Sequence, residues 1–158
     1  NIDLADNQMD VVTALGVFYH KNVKDDVQGM REIYRILKPG GRVIILDCAM
    51  KCLYGKHDLA FHGARRYSKQ ELREKLQQAG FTVEKLTYYN TLLFPVVYVK
   101  RKIDNLTNRP PKSDVQENFP AWLNWILTKM YKTELRGTLY LNYPFGVNIL
   151  AIAQKDKL

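Results

Sequence analysis

Cysteine is scarce in this chain: Cys48 and Cys52 are the two in 158 residues. Two thiols cannot complete a structural zinc site, and nearby His57 and His62 lack finger-like spacing, so no metal is expected. The pair reads as free thiols in a reducing, cytoplasmic setting rather than as part of a disulfide-stapled secreted scaffold. No uninterrupted run of about 18 apolar residues occurs, which argues against a membrane-spanning helix. Also absent is a basic, apolar and then small-residue leader, and the first residue is Asn1 rather than methionine. That start suggests a processed, truncated or subcloned chain. RNA-recognition, helix-turn-helix and zinc-finger signatures are missing, so no nucleic-acid partner is expected.

What is present is the composition of one globular domain. With 46% hydrophobic and 25% charged residues, the chain can bury a real core. The net charge of +8 is spread along the sequence and reads most simply as a solvated basic surface.

Local patterns define an alternating order of strands and helices. Met9 to Leu15 is a short β-branched and apolar strand entered through a polar turn at Asp6-Asn7. From about Asn22 to Leu37, Val27, Met30, Ile33, Tyr34 and Leu37 recur at helical spacing, and Pro39-Gly40-Gly41 stops the helix. Arg42 to Asp47 is a continuous apolar run, as expected of a strand covered on both faces. Ser68 to Glu71 is a capping box opening a helix that buries Leu72, Leu76 and Ala79, and Phe81 to Thr87 alternates as a strand nearer an edge. Leu92 to Ile103 reads as a helix bent at Pro95. Asn105 to Asn118 reads as a loop, and Trp122 to Leu135 as an amphipathic helix with Trp122, Leu123, Ile126, Leu127 and Met130 on one side. Val147 to Ala153 is a last strand. The reading is one partial α/β domain over 1–158: a sheet and helix core at 1–90, a helical insertion at 91–142 and a final strand at 143–158.

Four blocks in this order resemble the class I S-adenosylmethionine-dependent methyltransferases from the fourth strand of their sheet onward. They are Asp6 to Val12 (DNQMDVV), Ala14 to His20 (ALGVFYH), Arg31 to Val43 (REIYRILKPGGRV) and Ala79-Gly80-Phe81. A narrower likeness, to methyltransferases of envelope polysaccharide or lipid pathways, lies in His57-Asp58, His62 and Arg65-Arg66-Tyr67-Ser68, extended by Thr87 to Pro95 and Pro144-Phe145-Gly146. The resemblance implies the C-terminal portion of a doubly wound, Rossmann-like α/β sheet. Its first two strands should be parallel, with the last strand antiparallel between the second and third of this chain. It also implies an enzyme that transfers methyl groups from S-adenosylmethionine to a small-molecule, sugar or lipid-linked acceptor. The alternative is a non-catalytic fragment or binding module of the same fold.

The resemblance assigns residues by position. Ala14, Leu15, Gly16 and Val17 would line the methionine end of S-adenosylmethionine, and His20 would be an acceptor-site base, although it could equally cap the following helix. Gly16 and Tyr19 stand where the family more often has polar residues and Glu. The polar cluster His57, Asp58, His62, Arg65, Arg66 and Tyr67 would either meet the acceptor, since adjacent arginines beside a tyrosine suit a carboxylate or phosphate, or form a loop held by local ion pairs. The sequence contains no Gly-x-Gly-x-Gly stretch to cradle the methionine carboxylate. A chain opening at the fourth strand is expected to self-associate, or to pair with a separate N-terminal half, through an open sheet edge. A peripheral membrane contact through the Trp122 helix and the Leu92–Ile103 segment is weighed against ordinary core packing.

Overall fold

The computed structural model describes residues 2–107 and 120–157. Strands β1 (Met9–Leu15), β2 (Leu37–Cys48), β3 (Thr82–Tyr89) and β4 (Asn148–Gln154) form one sheet in the order β1-β2-β4-β3. β1 and β2 are parallel in register from Val11 opposite Arg42 to Leu15 opposite Leu46. β4 runs antiparallel to both β2 and β3. The expected placement of the last strand therefore holds.

Helix α1 (Asp26–Ile36) bridges β1 and β2. It begins four residues later than its periodicity suggests, because Asp25 caps it by accepting from the Gln28 N–H at 2.9 Å. Leu37 ends it, and the chain enters β2 directly. The Lys-Pro-Gly-Gly segment is absorbed as an irregularity in the β1–β2 ladder between Met9 and Val11. α3 (Lys69–Gln78) forms the second helical crossover. Ser68 Oγ accepts from the Glu71 N–H at 3.2 Å, as a capping residue should. The Glu71 carboxylate pairs with Lys51 at 2.9 Å rather than closing a full capping box.

The core lies between α1, α3 and one sheet face. Ala14, Val43, Ile45, Ile149, Ala151 and Ala153 from the strands meet Met30, Ile33, Leu72 and Leu76 from the helices. At about 1.5–3 kcal/mol for each large apolar side chain, this layer is the main source of stability. The second face departs from the two-sided covering expected of the Arg42–Asp47 run. Near β3 it is covered: Tyr89 meets Tyr131, and Thr87 Oγ1 accepts from the Tyr143 N–H at 2.8 Å. Gly146 passes so close to the Tyr89 backbone that no side chain would fit there. Near β1 it is open, with Val11 and Leu15 exposed and Ile44 and Leu46 half-buried.

Beyond β2 the chain makes a 3₁₀ turn at Lys51–Leu53 and the short helix α2 (Lys56–Ala60). After β3 come α4 (Phe94–Leu106) and α5 (Ala121–Gly137). Pro95 sits in the first turn of α4, where its missing N–H costs nothing, so it starts this helix instead of bending it. Residues 105–106 belong to α4, and most of the loop expected over Asn105–Asn118 lies outside the described residues. α5 spans the expected segment, but its inward face carries Leu123, Leu127, Met130 and Glu134. Trp122, Trp125 and Ile126 face outward, so core packing does not account for them.

Candidate functional site

In parallel α/β sheets, ligands bind beyond the carboxyl ends of the strands, where loops carry chemistry on a rigid support. At that end of this sheet lie the turn after β1 (16–20) and the segment after β2 (49–67). They are laced together by their backbones. The Ala64 N–H donates to Tyr19 O at 2.8 Å, Lys21 N–H to His62 O at 2.8 Å, and Tyr67 N–H to Cys48 O at 2.9 Å.

The turn after β1 is shaped by Gly16, whose φ of 62° is in the left-handed region that favours glycine. Its N–H donates to Leu46 O at 2.7 Å, which ties the strand tip to β2. Of the four residues assigned to the cofactor wall, Ala14 is buried in the core, whereas Leu15, Gly16 and Val17 are exposed at the strand tip. Phe18 then plunges into the core and fixes the turn.

The feature that sequence reasoning missed is Asp47, at the end of β2 and 2% exposed. Its Oδ2 accepts from the Phe18 N–H at 2.8 Å and the Tyr19 N–H at 3.2 Å, and its Oδ1 from the Cys48 N–H at 2.7 Å. One carboxylate thus clamps the β1 turn to the tip of β2. Burial pushes its pKa up to about 6, with the three amides and Arg65 pulling in the other direction. A carboxylate ending an apolar run was the available signal: it must be buried, so it needs donors. Burial also raises the neighbouring Cys48 thiol to about 11, so it is uncharged at neutral pH. Both cysteines are free, as expected.

His20 is half-buried beside His62, with ring centroids 5.9 Å apart. Its Nδ1 accepts from the Asn22 N–H at 3.2 Å, so the neutral ring carries its proton on Nε2. In this arrangement the side chain shapes the turn into α1 and offers Nε2–H as a donor.

The polar cluster separates into buried supports and outer groups. Asp58, 2% exposed, accepts from Arg66 Nε at 2.8 Å, Arg101 at 3.2 Å and the Gly55 N–H at 2.9 Å. Arg66 also donates to Ala49 O at 2.8 Å. Tyr67 is fully buried and donates to Asp26 at 2.6 Å, which also pairs with Lys75 at 2.7 Å and Arg65 at 3.2 Å. Burial pushes the Asp26 carboxyl upward, but Lys75, Tyr67 and Arg65 more than offset it and hold it below the ordinary range. Burial, reinforced by Asp26, raises the Tyr67 hydroxyl, which remains protonated. Arg65 is half-buried and donates to Val23 O at 2.6 Å. The His57 ring lies tilted beside that of Phe61, centroids 4.8 Å apart, and His62 is exposed with φ at 56°. Among the described residues no cluster could hold a metal ion.

Comparison with known proteins bears on this geometry. Residues 1–45 match the model of a methyltransferase domain family. Over 48 residues, 30% of this chain and 19% of the relative, the sequence is 50% identical to the ubiquinone/menaquinone biosynthesis C-methyltransferase UbiE of Geotalea daltonii. With the UbiE of Klebsiella pneumoniae it is 30% identical over 115 residues, 56% of this chain and 44% of that one. The chain therefore spans less than half the length of these curated relatives. In fold it is similar to phosphoethanolamine N-methyltransferase 2 of Haemonchus contortus, solved with S-adenosyl-L-methionine, with a TM-score of 0.54 at 18% identity, covering 98% of this chain and 35% of that one. The first parallel unit is thus similar in sequence to a methyltransferase domain, and the chain shares the fold of solved methyltransferases.

Proposed function

We propose that this chain contributes one side of a site for methyl transfer from S-adenosylmethionine. The observation that carries the reading is the parallel β1–α1–β2 unit, whose carboxyl-end turn is held open to solvent by the Asp47 clamp. The residues fit one end of the cofactor. Leu15, Gly16 and Val17 are exposed at the strand tip and would line its methionine portion. The glycine-rich cradle would have to come from residues other than these. Bound S-adenosylmethionine supplies an electrophilic methyl group on a sulfonium; the protein's work is to orient it and exclude water.

On the acceptor side, His20 and His62 lie beside the same turn; His20 offers Nε2–H as a donor to an acceptor, and acting as a base would require its Nδ1 to leave the Asn22 N–H. His57 and Arg65 form the rim. Asp58, Arg66 and Tyr67 we assign to support, since their polar atoms are engaged inside the protein. The curated relatives named above are, by name, C-methyltransferases of ubiquinone and menaquinone biosynthesis. A small-molecule acceptor of that kind, or a sugar or lipid-linked one, is the class we favour, and a lipid-linked acceptor would bring the protein to a membrane surface from the cytoplasmic side.

Calorimetric titration of the chain with S-adenosylhomocysteine tests the cofactor half of the proposal. Micromolar binding that weakens when Gly16 is replaced by valine supports it. No heat at millimolar ligand would favour the second reading, a non-catalytic module that keeps the fold.

A further inference from the structure

The α4 and α5 helices are built inside out. A surface helix ordinarily buries an apolar stripe and exposes its charges. On α4, Val96, Val99, Ile103 and Leu106 recur at intervals of three and four residues, and all are exposed, Leu106 at 85%. The buried residue of this helix is Arg101, held by Asp58. On α5, Trp122 and Trp125 are 65% and 63% exposed, and Ile126 lies on the same stripe. The buried residue there is Glu134, which accepts from the Thr91 N–H at 2.5 Å and so fastens α5 to the start of α4. Leu139, Tyr140 and Leu141 extend the apolar surface past the end of α5. Polar anchors hold these helices inward, and their apolar stripes look out. Apolar stripes exposed on this scale mark an interaction site.

The chemistry around the stripes selects the occupant. Lys100, Lys102, Lys129, Lys132 and Arg136 stand on these two helices against Asp104, once the buried Arg101 and Glu134 are set aside. Lys129 lies 5.6 Å from the Trp125 ring centre and Lys102 lies 5.5 Å from that of Tyr98. Exposed tryptophan with flanking lysine suits the headgroup layer of a bilayer, where ring and alkyl stem sit among apolar groups and the ammonium meets phosphate. A second copy docked through the same surface would bring this positive rim against itself. Nor is this the side on which the sheet is open: β3, which feeds α4, is the edge opposite β1. No described helix is long and apolar enough to cross a membrane, so the fit is to its surface.

We propose that the outward faces of α4 and α5 dock on an anionic lipid bilayer. The proposal rests on this surface and stands whether or not the chain binds a cofactor. Both tryptophans of the chain lie on α5, so intrinsic fluorescence reports on this surface alone. The test is binding of the chain to vesicles of phosphatidylcholine, and of phosphatidylcholine mixed equally with phosphatidylglycerol, followed by tryptophan emission and co-sedimentation. The expected result is a blue shift and sedimentation with the mixed vesicles, weakened by salt, and little of either with phosphatidylcholine alone. K129A/K132A should weaken partitioning roughly 30-fold, from about 1 kcal/mol per lysine near an anionic surface. W122A/W125A should weaken it at least about tenfold while circular dichroism is unchanged. Absence of binding at low salt overturns the proposal, as does equal binding to neutral vesicles or full binding by both variants. A blue shift that follows protein concentration without vesicles also overturns it, by making the occupant a second copy.

Discussion

At the scale of single residues, Asp47 has the most to explain. It is buried, it forms no salt bridge among the described residues, and it accepts three backbone amides that define the turn beyond β1. Its raised pKa gives a signed consequence. Between the unfolded carboxyl value of about 3.9 and the folded value of about 6, the native state binds more protons than the unfolded one, so this group's contribution to stability falls as pH rises through that window. Asp47→Asn cannot titrate. The stability difference between the native protein and Asp47→Asn, from urea midpoints, should therefore shrink by on the order of 2–3 kcal/mol from pH 4 to pH 7. A pH-independent difference would remove the assignment. Asp26 behaves with the opposite sign: its carboxyl is held low, so its contribution is present above the unfolded pKa and is lost as pH falls through the folded one. The sequence could flag Asp47 as a buried carboxylate but not name its partners, because two of its three amides lie 28 and 29 residues away, as Lys75 lies 49 from Asp26.

At the scale of elements, the parallel β1–α1–β2 unit was legible because each local rule agreed with the others. The β-branched run, the helical spacing and the proline that follows α1 all point to one arrangement. The helix start was misplaced because periodicity does not locate the cap, which Asp25 supplies. The helices α4 and α5 were legible as helices and illegible as faces. Whether Trp122 or Met130 points inward depends on which side of α5 meets Thr91, a contact made across the fold by Glu134. The triad of Asp58, Arg66 and Arg101 joins α2, the segment after it and α4. Asp58→Ala would remove the carboxylate that both buried guanidinium groups share, and we expect a loss of about 3–5 kcal/mol by urea denaturation. Limited proteolysis of this variant should cut first within α4, because its inward tether to Asp58 is gone. Uniform cleavage, or a loss within about 0.5 kcal/mol, would show that the triad does not anchor α4.

At the scale of the whole molecule, the sheet has two unlike sides. One is packed by α1 and α3; the other is open beside β1, where Val11 and Leu15 are exposed next to a strand edge that is unpaired among the described residues. Such an edge recruits partners. Light scattering should show self-association that increases with concentration, reduced in V11K/L15K without a stability change beyond about 0.5 kcal/mol. A monomer at every concentration would refute this. By itself the sequence determined the strand and helix order and the α/β class, and the motif order pointed to the family, because periodicity, capping and turn chemistry act over a few residues. Only the tertiary structure decided which charges of the 57–67 cluster are spent inside the protein, that Asp47 closes the turn, and that the apolar stripes of α4 and α5 face out. Those outcomes depend on contacts between residues tens of positions apart, and burial at such distances is a property of the assembled layers.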